Sequence, residues 1–280
     1  KFRASYGITG ALPGSSDYAL PVIRNGARID LDGDANTTDD IRIAPQQTQN
    51  ANPDLKWETK KEFNVGFDFS ILDGKITGTT DYYVRNIEDL IFNIVVPIGA
   101  PSAFDIGNFN TVNNTWVNLA DLRSAGFEFA ASYNGLKIGQ VSWSPSVNFT
   151  IYDKTTIESF TLDNGLGFES LRGGNLGSPG QNNTQIIFNE VGQTVGNFVG
   201  PRFIGIDENG QYILEDANGV RGNSAADFNI DDLPVIGNAL PDAEFGINNA
   251  FAYGDWNFSF FLRGTLGHEM YNSFRGFYEN

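Results

Sequence analysis

The stretch WETKKEFNVGFDFSILDGKITGTTDYYVR, running from Trp57 to Arg85, decides the fold. Trp57, Thr59, Lys61, Phe63, Val65, Phe67, Phe69 and Ile71 alternate with Glu58, Lys60, Glu62, Asn64, Gly66, Asp68 and Ser70. Successive side chains of a strand point to opposite sides, so this period of two makes one greasy face and one wet face. Asp73-Gly74 follows, a dipeptide suited to a type I′ turn because both central residues need positive φ. The return strand repeats the pattern with Ile76, Gly78, Thr80, Tyr82 and Val84 against Thr77, Thr79, Asp81, Tyr83 and Arg85. The turn sets the register. Ile71 then opposes Ile76, Val65 opposes Tyr82, and Phe63 opposes Val84. On the wet face Ser70 opposes Thr77, Asp68 opposes Thr79, and Glu62 opposes Arg85 as a complementary charge pair. Soluble strands average about 5–6 residues, whereas a tilted membrane strand needs about 9–11, and this hairpin is of the longer kind.

The same signature recurs outward from the hairpin. Lys1 to Thr9 alternates Phe2, Ala4, Tyr6 and Ile8 with polar or small residues. Leu119 to Tyr133 carries Phe127, Phe129, Ala131 and Tyr133 on one parity, followed by a turn at Asn134-Gly135. After Leu136 and Ile138 the apolar parity switches at Gly139 to Val141, Trp143, Val147, Phe149 and Ile151. That switch predicts a β-bulge at Gly139. Pro145 has no N–H to give and predicts a local break in pairing. Ala243 to Tyr253 and Trp256 to Leu266 form a last hairpin about Gly254-Asp255.

About seven long strands result, joined alternately by tight turns and by long irregular stretches near 11–54, 90–116 and 153–242. The expected fold is all-β, part of a large antiparallel transmembrane β-barrel, with short periplasmic turns and long extracellular loops. Tyr133, Tyr253 and Trp256 stand beside the tight turns on the apolar parity, where a periplasmic aromatic girdle facing lipid belongs; ordinary core aromatics would read the same. Glu58, Lys60, Glu62, Asp81, Arg85, Glu128 and Arg263 take the polar parity and are expected to face the lumen.

Composition narrows the function. The 280 residues contain no Cys and one His, which excludes thiolate chemistry and a multi-histidine metal site. The net charge of −16 argues against nucleic-acid binding. No apolar run reaches the roughly 20 residues of a membrane helix, which leaves barrel strands untouched as a means of crossing. No motif joins a nucleophile, a base and an oxyanion donor, so no enzyme and no catalytic residue are expected. Phe104, Phe109 and Trp116, in or beside a long outward loop, offer rings to a substrate or a partner; packing of the loop itself is the other reading. His268 is isolated.

The segment Asn52-Pro53-Asp54-Leu55-Lys56-Trp57-Glu58 resembles the NPxLKWE segment of SusC/RagA-type TonB-dependent outer-membrane transporters of Bacteroidota. Gly66-Phe67-Asp68-Phe69, Asp81-Tyr82-Tyr83 and the run Leu122 to Phe129 are similar to the hairpin and the "RNKGFEF"-like run that follow in that family. Val191 to Phe198, Val235 to Pro241 and Phe260 to Asn272 resemble its "GQPIGSFYG", "IGNPNP" and "FFxxGxxGxxxYN" stretches. The resemblance implies a partial C-terminal barrel domain over 1–280, from a 22-stranded barrel. The family's plug domain, TonB box and last strands are not matched here. It implies a multi-pass outer-membrane importer of oligosaccharides or peptides, a SusD-like lipoprotein partner, and energy from TonB-ExbB-ExbD through regions outside this chain. A soluble or surface-displayed β-rich glycan-binding module is the alternative. Asp207-Glu208-Asn209-Gly210, Glu215-Asp216-Ala217-Asn218-Gly219 and the later Asp227, Asp231 and Asp232 are similar to the family's acidic loop. Within 207–232 a Ca2+ ion and a merely solvated acidic loop are the two readings; no other cofactor is expected.

Overall fold

The computed structural model describes residues 1–11, 17–29, 42–105, 107–160, 170–176 and 184–278. In chain order the strands are β1 (Phe2–Ala11), β2 (Val22–Ile29), β3 (Arg42–Gln49), β4 (Glu58–Ile71), β5 (Ile76–Val95), β6 (Asn114–Tyr133), β7 (Leu136–Ile138) and β8 (Val141–Phe160). Shorter strands follow: β9 (Ser170–Asn175), β10 (Gln185–Glu190), β11 (Asn197–Val199), β12 (Arg202–Ile206), β13 (Tyr212–Glu215), β14 (Arg221–Gly222) and β15 (Val235–Asn238). The long hairpin β16 (Ala243–Tyr253) and β17 (Trp256–Leu266) closes the series, before a short helix α1 (Ser273–Tyr278).

Seven long strands lie side by side in the order β1-β4-β5-β6-β8-β16-β17, with β7 on β8. Among the described residues these neighbouring strands all pair antiparallel. The six cross-strand pairs read from the hairpin are those observed, from Ile71↔Ile76 to Glu62↔Arg85. Because register carries parity from strand to strand, the apolar sides merge into one face. One row runs Phe2, Phe67, Thr80, Phe129, Phe149, Phe245; another runs Ala4, Val65, Tyr82, Phe127, Ile151. These side chains stay open to the surroundings: Phe63, Val65, Tyr82, Phe127 and Phe258 are all exposed. A face this wide and apolar, with no protein layer over it among the described residues, is what a lipid-facing wall presents. No helix of the described residues is long and apolar enough to cross a membrane.

At the first turn Leu72, Asp73 and Gly74 all have positive φ (55°, 54° and 82°). Gly adopts this region freely and Asp at little cost, but Leu does not. Leu72→Gly is therefore expected to stabilise the hairpin by up to about 1 kcal/mol, read as a shifted denaturation midpoint of the folded barrel.

Two local features exchange places relative to the sequence reading. The tight turn of the second hairpin closes at Gly139-Gln140, between Ile138 and Val141, and Gly139 has φ 63°. The interruption lies at Asn134-Gly135, where β6 passes into β7. Two glycines able to take positive φ stand close together, and pairing of Leu136 with Trp143 decides between them. The parity switch is thus a turn and not a bulge. Pro145 lies opposite that interruption: β6 pairing stops at Ser132↔Ser146, while Pro145 stays in register with Asn249 on β16. Asn249 is buried among apolar neighbours, and its Oδ1 accepts the Trp143 indole N–H at 3.1 Å.

The irregular stretches are shorter than the alternation suggested. β5 continues to Val95 and β6 starts at Asn114, so the connection is 96–113 and not 90–116. Period two disappears there because both faces of β6 become buried: Val117, Leu119 and Ala120 join Ile157 and Phe160 in a core. A break in β5 near Leu90, with Asp89 at φ 59°, obscures the pattern further. Within 11–54 stands the hairpin β2–β3, and within 153–242 stand the sheets β15-β11-β10-β9 and β12-β13-β14. The parts of those loops at 12–16, 30–41, 161–169 and 177–183 lie outside the described residues.

Candidate functional site

The polar face of the seven-strand wall is built by the same register that builds the greasy one. Arg3 sits opposite Gly66, which sits opposite Asp81. Its guanidinium reaches both carboxylates, 2.9 Å to Asp68 and 2.8 Å to Asp81. Gly66 makes this approach feasible: a Cβ there would stand 2.8 Å from Arg3 Nη2. Glu62 accepts from Arg85 at 2.9 Å and pairs with Lys60 at 3.0 Å. The Arg85 guanidinium also lies 5.3 Å over the Tyr83 ring. Tyr83 in turn lies against Gly126, where a Cβ would come 2.5 Å from its hydroxyl oxygen. Tyr152 donates its hydroxyl to Glu244 at 3.1 Å. Half-exposed pairs of this kind each contribute at most about 1 kcal/mol, so their main effect is to fix which groups stand free. Three of the face's cations are neutralised in this way. Glu128 and Arg263 stand exposed on it.

Nearer the tight turns the polar face becomes a shallow trough of about 490 Å3 with small polar walls, among them Thr79, Ser132, Ser146, Asn148 and Asn248. Phe261 projects into it and is 58% exposed. Parity alone assigns Phe261 to this face, opposite Asn248, and sequence reading overlooked it, as it overlooked Arg3 as the partner of Asp68 and Asp81.

Of the polar residues expected on this face, Lys60, Glu62, Asp81, Arg85, Glu128 and Arg263 keep that parity in the observed register. Glu58 is diverted. Its Oε1 accepts the Ile91 N–H at 2.9 Å, beside the break in β5. Asp121 accepts the Asp89 N–H there, and Asn118 donates to the Asp89 carbonyl. Backbone groups freed by a break in the ladder must find such partners when covered by protein. Tyr253 and Trp256 face each other across the two-residue turn, and Tyr133 opposes Ile76 at the neighbouring one.

The end away from the tight turns has a different construction. Asn50 is buried, and its amide donates to the carbonyls of Val112 (2.6 Å) and Asn114 (3.1 Å) and to Thr115 Oγ1 (3.1 Å). Its oxygen accepts from the backbone of Thr111 and Val112. Asn52 donates to the Trp116 carbonyl at 2.8 Å, and Asn118 exchanges two hydrogen bonds with the backbone of Lys56. The Gln49 amide donates to three carbonyls, those of Asp17, Tyr18 and Leu20. Its oxygen accepts the Trp116 indole N–H at 3.0 Å. Tyr18 stacks on Trp116 with ring centres 4.0 Å apart. These amides bind an irregular chain, 49–57, to the rim of β6. Nothing in the periodicity marks them, although Asn52 opens the motif read above.

The three outward aromatics therefore part company. Trp116 is engaged by Tyr18 and Gln49, and Phe104 packs on the Val117–Leu119 core. Phe109 is 64% exposed, and Ile98 on the same loop and Val95 at the end of β5 are exposed as well. The acidic stretch is likewise resolved into separate turns. Asp207 accepts the N–H groups of Asn209 and Gln211, Asp216 those of Asn218 and Val220, and Asp227 those of Asn223 and Ser224. No group of three or more acids or histidines placed to hold a metal occurs among the described residues. His268 is exposed.

Residues 1–265 match the family profile described as TonB dependent receptor-like, beta-barrel. TonB-dependent receptor P26 of Formosa agariphila is 27% identical over 97% of this chain, which spans 26% of that protein. TonB-dependent receptor SusC of Bacteroides thetaiotaomicron is 28% identical over 98% of this chain and is likewise spanned over 26% of its length. Among solved structures, that of the RagAB peptide transporter superposes on 95% of this chain with a TM-score of 0.70 at 18% identity. The chain thus spans about a quarter of the relatives it matches.

Proposed function

This chain belongs to the TonB-dependent receptor-like β-barrel family, and from that premise we propose that it is a wall segment of an outer-membrane nutrient importer. One observation carries the reading: seven paired strands, in continuous register from the tight turns to the row of Phe63, Val84 and Ala125, give one apolar face and, behind it, a charged and hydroxyl-rich face. That division suits lipid outside and an aqueous passage inside. The passage would admit oligosaccharides or peptides and leave them chemically unaltered. Energy would arrive from TonB-ExbB-ExbD through parts of the full-length protein outside these residues. The short turns then face the periplasm, with Tyr133, Tyr253 and Trp256 as the girdle there, and the Asn50-clamped end faces outward.

A SusD-like lipoprotein is the proposed outward partner, and Val95, Ile98 and Phe109 are the exposed apolar side chains offered to it. Exposed apolar side chains on and beside a loop held by a rigid base suit protein docking. Phe109→Asp is expected to reduce recovery of the lipoprotein with a tagged full-length receptor by about tenfold, a loss of about 1.4 kcal/mol. The receptor's level in the membrane should not change.

The test of the function itself is fractionation of the envelope of the native host, followed by pull-down of the tagged full-length protein. Recovery in the outer membrane together with such a lipoprotein supports the importer. A soluble, partner-free product overturns it and leaves a glycan-binding module.

A further inference from the structure

On its apolar parity the wall ends on a cation in β4 and in β6, and on Asp153 in β8. In β4 the run from Ile71 back to Phe63 stops at Lys61; in β6 the run from Tyr133 back to Ala125 stops at Arg123. Lys61 and Arg123 share one cross-strand row, joined through Asn86 of β5. The row below it is Phe63, Val84 and Ala125. Both cations keep the parity of the apolar residues, so they stand on the outer side of the wall and not on the lumen side. Each is about ten residues from the turn end of its strand. At about 3.3 Å per residue and a tilt near 40°, that is about 25 Å, the height of the apolar band of such a wall.

The two cations differ in how far they are committed. Lys61 is held by Glu88, 2.6 Å away. Arg123 is exposed, and no side-chain hydrogen bond or ion pair reaches its guanidinium among the described residues. Several carboxylates share its surroundings, among them Glu158, which accepts the hydroxyl of Thr156 opposite Arg123. Glu88 is taken by Lys61. Asp121 accepts the Asp89 N–H and the Ser159 hydroxyl. Asp153, opposite Ala125, is exposed. In a chain of net charge −16 a free guanidinium at the rim of the greasy face is not compositional background.

Resting on the importer reading above, we propose that Arg123, with Lys61 beside it, binds the phosphate of a phosphorylated glycolipid of the outward leaflet. At that height on that side the neighbours are lipid headgroups, and a planar guanidinium matches a phosphate through two parallel hydrogen bonds. The bound lipid would fasten this sector of the wall to its leaflet at the foot of the outward structure.

The test uses the full-length receptor in phosphatidylcholine nanodiscs doped with phosphorylated lipid A or with the same lipid dephosphorylated. Lipid retained on the protein is counted by native mass spectrometry. The expected result is retention that requires the phosphate and that falls about fivefold in Arg123→Gln, the contribution of one cation near an anionic surface. Arg263→Gln, on the opposite face, should leave retention unchanged. Equal retention in the Arg123→Gln variant, or retention indifferent to the phosphate, overturns the inference while the receptor still assembles and transports. Failure of the full-length receptor to insert as a barrel overturns the importer reading and this inference with it.

Discussion

Phe129→Arg is expected to destabilise the assembled barrel by about 2–4 kcal/mol, whereas Glu128→Arg, one residue away, should change its stability by less than about 1 kcal/mol. The two positions are consecutive in β6 and so point to opposite sides. Phe129 lies in the apolar row between Thr80 and Phe149, and its ring stacks with Phe69 at 6.5 Å. A charge there would sit in hydrocarbon. Glu128 is exposed on the polar face, opposite Asp81, where a guanidinium meets water and carboxylates. Denaturant titration of the full-length protein in bilayers measures both. Tyr133→Arg completes the series. Next to the turn it should cost no more than about 1 kcal/mol, because the penalty for a charge falls toward the membrane surface. A cost that depends on face and also on depth is the mark of a bilayer. A penalty equally large at 129 and 133 would indicate a protein core instead and sink the lipid-facing assignment.

The second large effect is expected at Asn50. Asn50→Ala removes an amide that satisfies two backbone N–H groups, two carbonyls and the Thr115 hydroxyl. Asn50 and Thr115 are both buried, so water does not replace the lost partners without opening the structure. Each orphaned group costs about 1–3 kcal/mol, and a total of about 3 kcal/mol or more is expected. The loss should be local. The long ladders below are unaffected, so the outward structure opens while the wall holds. Limited proteolysis reads this as new cleavage within 96–113 with the barrel core protected. Asn50→Asp keeps the shape and the acceptor but faces two carbonyls with a carboxylate, so it should fail nearly as badly. Normal protease resistance in both variants would show that these hydrogen bonds do not hold the loop.

What was legible in the sequence is what a strict period of two encodes. The Asp73-Gly74 and Gly254-Asp255 turns, the register of the first hairpin and the two faces of the wall follow from it, because a one-residue slip would reverse every side chain. The girdle candidates and the polar face follow from the same parity. Where both faces are covered by protein the rule has nothing to act on. The first residues of β6 and the last of β5 were read as loop for that reason. The choice between Gly135 and Gly139 as the turn was equally out of reach, since both allow positive φ and only the partners of Leu136 and Ile138 distinguish them.

By itself the sequence determined a bifacial, antiparallel wall and the family resemblance of its motifs, both consequences of local order along the chain. The tertiary structure alone decided which polar groups pair and which stand free. Arg3 spans three strands to bind Asp68 and Asp81, Glu58 leaves the polar row to cap a break, Trp116 is engaged while Phe109 is exposed, and the Arg123 guanidinium has no partner among the described residues. The physical reason is range. Alternation is a property of neighbours in sequence, whereas a hydrogen bond or an ion pair depends on distances of a few ångströms between residues that only the folded sheet brings together.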